Sequence, residues 1–219
     1  MKHWFMEFYP YLGWAGSLTI LVCGLVAAAA YRGKEGERYS IGRHFVSELG
    51  ELGVSRLARV FNRGLIIGSF LFLLMMPGVG MSLGSVWGYI GTAAGMIAAL
   101  GCFFVGIFPM NFMKQHAAAA MTYFRAGLAT VILFSIAILV QPAEERVIPF
   151  YSLIISGLAM VAYTSFLIRA GNFGKKYQQS NALDTSEMKV RPRFWWMPFL
   201  EWMVVIFTIL WFLVICAVR

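Results

Sequence analysis

A chain of 219 residues that is 60% hydrophobic and only 13% charged, with a mean hydropathy of +0.73, has more apolar surface than a soluble domain of that size can bury. The net charge of +8 and pI near 9.6 call for no nucleic-acid partner, because basic residues of membrane proteins gather in cytoplasmic loops beside anionic lipid and no nucleic-acid-reading motif accompanies them. Cys23, Cys102 and Cys216 lie in apolar runs without a CxxC pair, which argues against a disulfide framework or a zinc site.

A membrane-spanning helix needs about 20 mostly apolar residues, and six segments satisfy that length. The first covers about Tyr11 to Tyr31; Glu7 and Pro10 precede it and no small-residue cleavage site follows, so a retained helix is expected rather than a signal peptide. The second starts between Val54 and Asn62 and runs to about Leu83, with Pro77 expected to kink or end it. The third spans about Trp87 to Pro109, stopped by GIFP, and the fourth about His116 to Val140, closed by Gln141 and Pro142. The fifth covers about Phe150 to Ala170 and the sixth about Pro198 to Val218. The expected fold is all-α, a polytopic bundle of six transmembrane helices forming a single domain over residues 1–219.

Between the first two spans, Ile41, Phe45, Leu49 and Leu52 recur at helical spacing opposite Arg43, Glu48 and Glu51, predicting a short amphipathic helix at the interface. Gly64/Gly68, Gly80/Gly84, Gly84/Gly88 and Gly91/Gly95 have small-xxx-small spacing, predicting that the second and third helices pack closely as a hairpin. Gly171 to Arg193 is the one long polar stretch and is expected to be a mobile loop.

Charge divides the connections into two sets. Of the 18 Lys and Arg residues, all but Lys2, Arg125, Arg146 and Arg219 fall in the loops after the first, third and fifth spans, so the positive-inside rule places those loops in the cytoplasm and both termini outside. Trp4, Tyr9, Trp14, Trp87, Tyr89 and Tyr151 are expected near the termini face, and Tyr31, Trp195, Trp196 and Trp202 near the basic face.

Polar residues near the hydrocarbon boundary are costly unless paired, and the basic face collects several of them: Ser47, Glu48 and Asn62 from the first loop and the start of the second span, Asn111 and His116 after the third, and Arg125 inside the fourth. Arg125 must snorkel, pair with Glu48 or Glu201, or hold an anionic headgroup. The expected site is a polar pocket just below the basic interface, formed by Ser47, Glu48, Asn62, His116 and Arg125, with Arg43 and Lys114 drawing phospholipid headgroups and Tyr39 and Phe45 shielding the acyl side.

YSxxRxxxSELG, followed by FNRG, GIFP and a histidine opening the next helix, resembles the domain of unknown function 998 membrane family and, more distantly, the Frag/DRAM/Sfk superfamily, over about residues 11 to 170. The resemblance implies six helices, motif residues at Ser47, Glu48, Asn62, Gly106, Pro109 and His116, and a loose link to lipid; it also implies a cytosolic N-terminus, opposite to the charge bias.

Other chemistries find less support. Ser47 has His44 nearby in sequence and His116 across the face, but no GxSxG elbow for acyl transfer. HxxxE at His44 and Glu48 is too common a spacing to define a metal site, and no intramembrane histidine pair could ligate haem, so no cofactor is expected. The helix centres are nearly uncharged, which disfavours a small transporter. The expected function is binding, with modification left open, of lipid headgroups on the basic face; the alternative is an accessory or scaffold subunit of a larger membrane complex, or a homo-oligomer. Reporter fusions at Asn181 and at the C-terminus should give opposite topology signals, with Asn181 cytoplasmic; a cytoplasmic C-terminus would reverse the orientation.

Overall fold

The computed structural model describes residues 2–142, 144, 146–179 and 192–217. Among them are six helices long and apolar enough to cross a membrane, and the protein is a multi-pass integral membrane protein. They are α1 (Lys2–Ala30), α2 (Ala58–Leu83), α3 (Val86–Ile107), α4 (Met113–Val140), α5 (Ser152–Gln179) and α6 (Trp196–Cys216). Each helix packs on the next in sequence, and α6 closes the ring against α1, so the bundle surrounds a central axis.

The second, third and fourth spans end within about two residues of the expected positions, whereas α1 begins well before the expected Tyr11. Both α1 and α2 run through their prolines, Pro10 and Pro77. In a membrane helix the carbonyl freed by proline can be satisfied by neighbouring helices, so the residue is tolerated. At the other end of α2 the stop is sharp. Gly84 takes a left-handed conformation (φ 60°), its N–H donates to the Gly80 carbonyl, and the Ser85 hydroxyl caps α3 by accepting from the Gly88 N–H at 3.1 Å. α5 continues to Gln179, so the first part of the expected Gly171–Arg193 loop is helix; residues 180–191 lie outside the described residues.

The glycines bring three helix pairs together rather than one. Gly80, Gly88 and Gly106 serve the α2/α3 contact as expected, whereas Gly64 and Gly68 face Cys23, Ile20 and the Gly16 carbonyl of α1, and Gly91 and Gly101 face α4. The closest approach that matters for the site is at Gly106, where a methyl group would lie 2.8 Å from both the Asn62 carbonyl oxygen and Ile66 Cγ1.

The amphipathic helix expected between α1 and α2 contracts to a single 3-10 turn, Val46–Gly50, within a folded loop. Leu49 is fully buried while Ile41 and Leu52 are exposed, so these apolar residues do not share one face. Residues 31–57 form a cap over one end of the bundle, and the other two loops on that side join it. Asn111 pairs with both backbone groups of Leu52 (2.8 and 3.0 Å), and the Trp195 N–H donates to the Gly42 carbonyl at 2.8 Å.

Gly106→Ala should destabilise the protein by about 1–3 kcal/mol, because the obstructing atom is backbone and cannot rotate away. Thermal unfolding in detergent would measure it, and an unchanged midpoint would show that α2 and α3 can separate without cost.

Candidate functional site: a capped cavity inside the helix ring

The cap is built on buried polar groups that each need a partner. The first amides of a helical turn have no acceptor within it, and here α6 supplies one: Val46 N–H donates to Glu201 Oε2 at 2.7 Å, and the Ser47 amide and hydroxyl bond the same carboxyl group. Glu48 reaches back to its own turn, where Oε1 accepts from Phe45 N–H at 2.9 Å and Oε2 from the Tyr31 hydroxyl at 3.3 Å. Asn62 Nδ2 donates to the Gly50 carbonyl at 3.0 Å, fixing the end of the turn to α2.

A cluster of rings sits beneath this turn. Tyr39 donates to the Phe45 carbonyl at 2.8 Å and accepts from Trp202 Nε1 at 2.6 Å, and it packs against Tyr31 and His44 with ring centroids 5.3 Å apart in each case. Burial pushes the Tyr39 phenol well above its ordinary pKa, and the Glu201 carboxyl pushes it in the same direction. His44 is 1% exposed; its Nδ1 lies 3.1 Å from the Ser40 amide nitrogen and 3.3 Å from the Ser40 carbonyl oxygen, and its Nε2 lies 3.6 Å from Glu37 Oε1. Burial works against the Glu37 carboxylate, but the amides of Glu37 and Glu35 and the nearby His44 ring outweigh it, and its pKa lies below the ordinary value. Tyr31 and Trp202, expected in the interfacial aromatic belt, are instead buried in this cluster.

Under the cap lies a cavity of about 220 Å³ lined by residues of all six helices. On α2 its lining runs from Phe61 to Met76, a span of about 22 Å at 1.5 Å per residue. Most of the wall is apolar. Ser47, His116 and Glu201 are the polar groups next to the cap; Tyr123, Tyr163 and Thr208 lie about 10 Å deeper along α6, and Thr130 lies deeper still on α4. Tyr123, Tyr163 and Thr208 are linked through the Tyr163 hydroxyl, which accepts from Thr208 at 2.9 Å and bonds Tyr123.

The expected site residues therefore separate. Ser47 and His116 line the cavity; Glu48 and Asn62 are buried but engaged in holding the cap. Arg43, Lys114 and Arg125 are exposed and do not line the cavity, since Phe124 and Gly127 are the residues that α4 turns inward around Arg125. His116 Nδ1 lies 2.8 Å from the Phe108 carbonyl at the end of α3, closing the α3–α4 connection. Glu201, weighed in the sequence only as a partner for Arg125, is 8% exposed and belongs to the cavity. Its signal was a lone carboxyl in the apolar run of α6.

The chain matches no protein-family model, no curated protein and no solved structure.

Glu201→Leu should destabilise the protein by about 1–3 kcal/mol, leaving the Val46 and Ser47 amides without an acceptor, while Glu201→Gln, which keeps an acceptor oxygen, should cost less. Unfolding midpoints would check the order, and limited proteolysis should cut residues 32–57 faster in the Leu variant. Equal stability and equal cutting in both variants would remove Glu201 from the cap.

Proposed function

We propose that the protein binds a membrane lipid in this cavity, with the polar part of the lipid beside Ser47, His116 and Glu201 and its apolar part among the helices below. The observation that carries this reading is the combination of a long, largely apolar chamber in the membrane-spanning part of the bundle with three hydrogen-bonding side chains at its capped end. A ligand of matching polarity has one polar end and an extended apolar remainder, which is the plan of a lipid.

Two lining residues, Leu25 on α1 and Leu210 on α6, are 56% and 40% exposed, so the chamber reaches the outer surface of the ring near the seam that joins the first and last helices. α1 and α6 meet closely where Gly13 faces Cys216 and again, through Tyr31, Tyr39 and Trp202, at the cap. Between those contacts a lipid can pass from the bilayer without crossing the cap. Arg43, Lys114 and Arg125 serve a separate purpose on the outside, where their charges suit anionic headgroups of the surrounding leaflet.

Protein extracted in mild detergent should retain a lipid at about one per chain, detected by native mass spectrometry. Ala98→Phe, which places a ring in the chamber, should lower that occupancy several-fold without unfolding the bundle. A wild-type protein that carries no lipid, and to which none can be restored, would refute the reading.

A further inference from the structure

Accepting that the cavity holds a lipid, we infer that its capped end selects a head bearing a hydroxyl group, as in a diacylglycerol or a long-chain alcohol, and rejects a phosphate. The inference rests on what the chamber presents. Among the described residues no Lys or Arg lines it, and its capped end contains the Glu201 carboxyl group with Glu48 close behind. A phosphate entering there would lose its hydration without gaining a counter-charge.

The hydrogen-bonding capacity points the same way. Where Nδ1 donates to the Phe108 carbonyl, the other ring nitrogen of His116 is an acceptor, and no partner for Nε2 occurs among the described residues although the side chain is only 7% exposed and lines the cavity. Glu201 likewise offers carboxyl oxygens, already oriented by the Val46 and Ser47 amides. An alcohol fits this set: it donates to His116 Nε2 and carries no charge. A buried acceptor rewards a ligand that can donate to it and penalises one that cannot.

The test compares two probes with the same acyl chains, dioleoylglycerol and dioleoylphosphatidic acid, titrated into the delipidated full chain and followed by native mass spectrometry. The wild type should prefer dioleoylglycerol by at least tenfold, and Ala98→Phe should weaken that binding several-fold. His116→Asn keeps a donor for the Phe108 carbonyl but, being shorter, places no acceptor where Nε2 stood, so it should weaken dioleoylglycerol about tenfold while leaving the unfolding midpoint in place. Phosphatidic acid bound as well as dioleoylglycerol and displaced by Ala98→Phe would overturn the head-group assignment and leave the lipid cavity standing. Unaltered dioleoylglycerol binding in His116→Asn would also overturn it. Indifference of both probes to Ala98→Phe would instead overturn the cavity reading on which the inference rests.

Discussion

The hydrogen bond from Val46 to Glu201 connects residues 155 positions apart and decides where the roof of the molecule sits. Backbone amides at the start of a turn need acceptors, and near the hydrocarbon boundary water does not supply them reliably. A carboxyl group on α6 does, and the turn that it captures brings Val46 and Ser47 over the central cavity. Other contacts of the cap follow from that placement. Once the turn is fixed to α6, Asn62 can hold its far end to α2 and Tyr31 can reach Glu48 from the end of α1. The end of α1, the turn, the start of α2 and the distant start of α6 are thereby joined at one end of the ring.

Helices in lipid must satisfy their own backbone, so length and apolarity alone made the six spans legible. Their ends were less so. Pro10 reads as the edge of a helix by the rules of soluble proteins, yet α1 begins well before it, whereas α2 runs through Pro77 to Leu83, the expected end. Glycine spacing shows that backbones come close but does not name the partner: Gly64 and Gly68 were as compatible with α3 as with α1, and only the face of α2 on which they lie decides between them. The four-residue rhythm of Ile41, Phe45, Leu49 and Leu52 was equally ambiguous, because a capped loop can bury Leu49 completely while leaving Ile41 and Leu52 outside.

The polar residues of the site were legible as a set and not by role. Ser47 and Glu48 are adjacent, but one lines the cavity and the other accepts from Phe45 and Tyr31, a division that depends on the handedness of a single 3-10 turn. Arg125 stands out in sequence as a charge within a span, but its position on α4 faces outward, where a long side chain can extend along the helix toward the interface. Glu201 is the converse case. It is a single acidic residue in an apolar run, and it became interpretable only when the loop after α1 was seen to fold onto it.

A cavity of this kind has an energetic cost that bears on its purpose. By the scaling seen when buried side chains are truncated, about 24 cal/mol per Å³, an empty space of 220 Å³ would cost on the order of 5 kcal/mol, comparable with the whole stability of many domains. Water could occupy the end near Ser47, His116 and Glu201, where it would find hydrogen-bonding partners, whereas the region between Phe72, Met76 and Phe212 is apolar apart from Thr130, whose hydroxyl already donates to the Ala126 carbonyl, and offers water too few partners. The walls could have been closed with larger side chains, yet Gly95, Ala98, Ala99, Ala120 and Gly127 face the space. Small residues kept around a void that water can fill only at its capped end favour an apolar occupant for the rest.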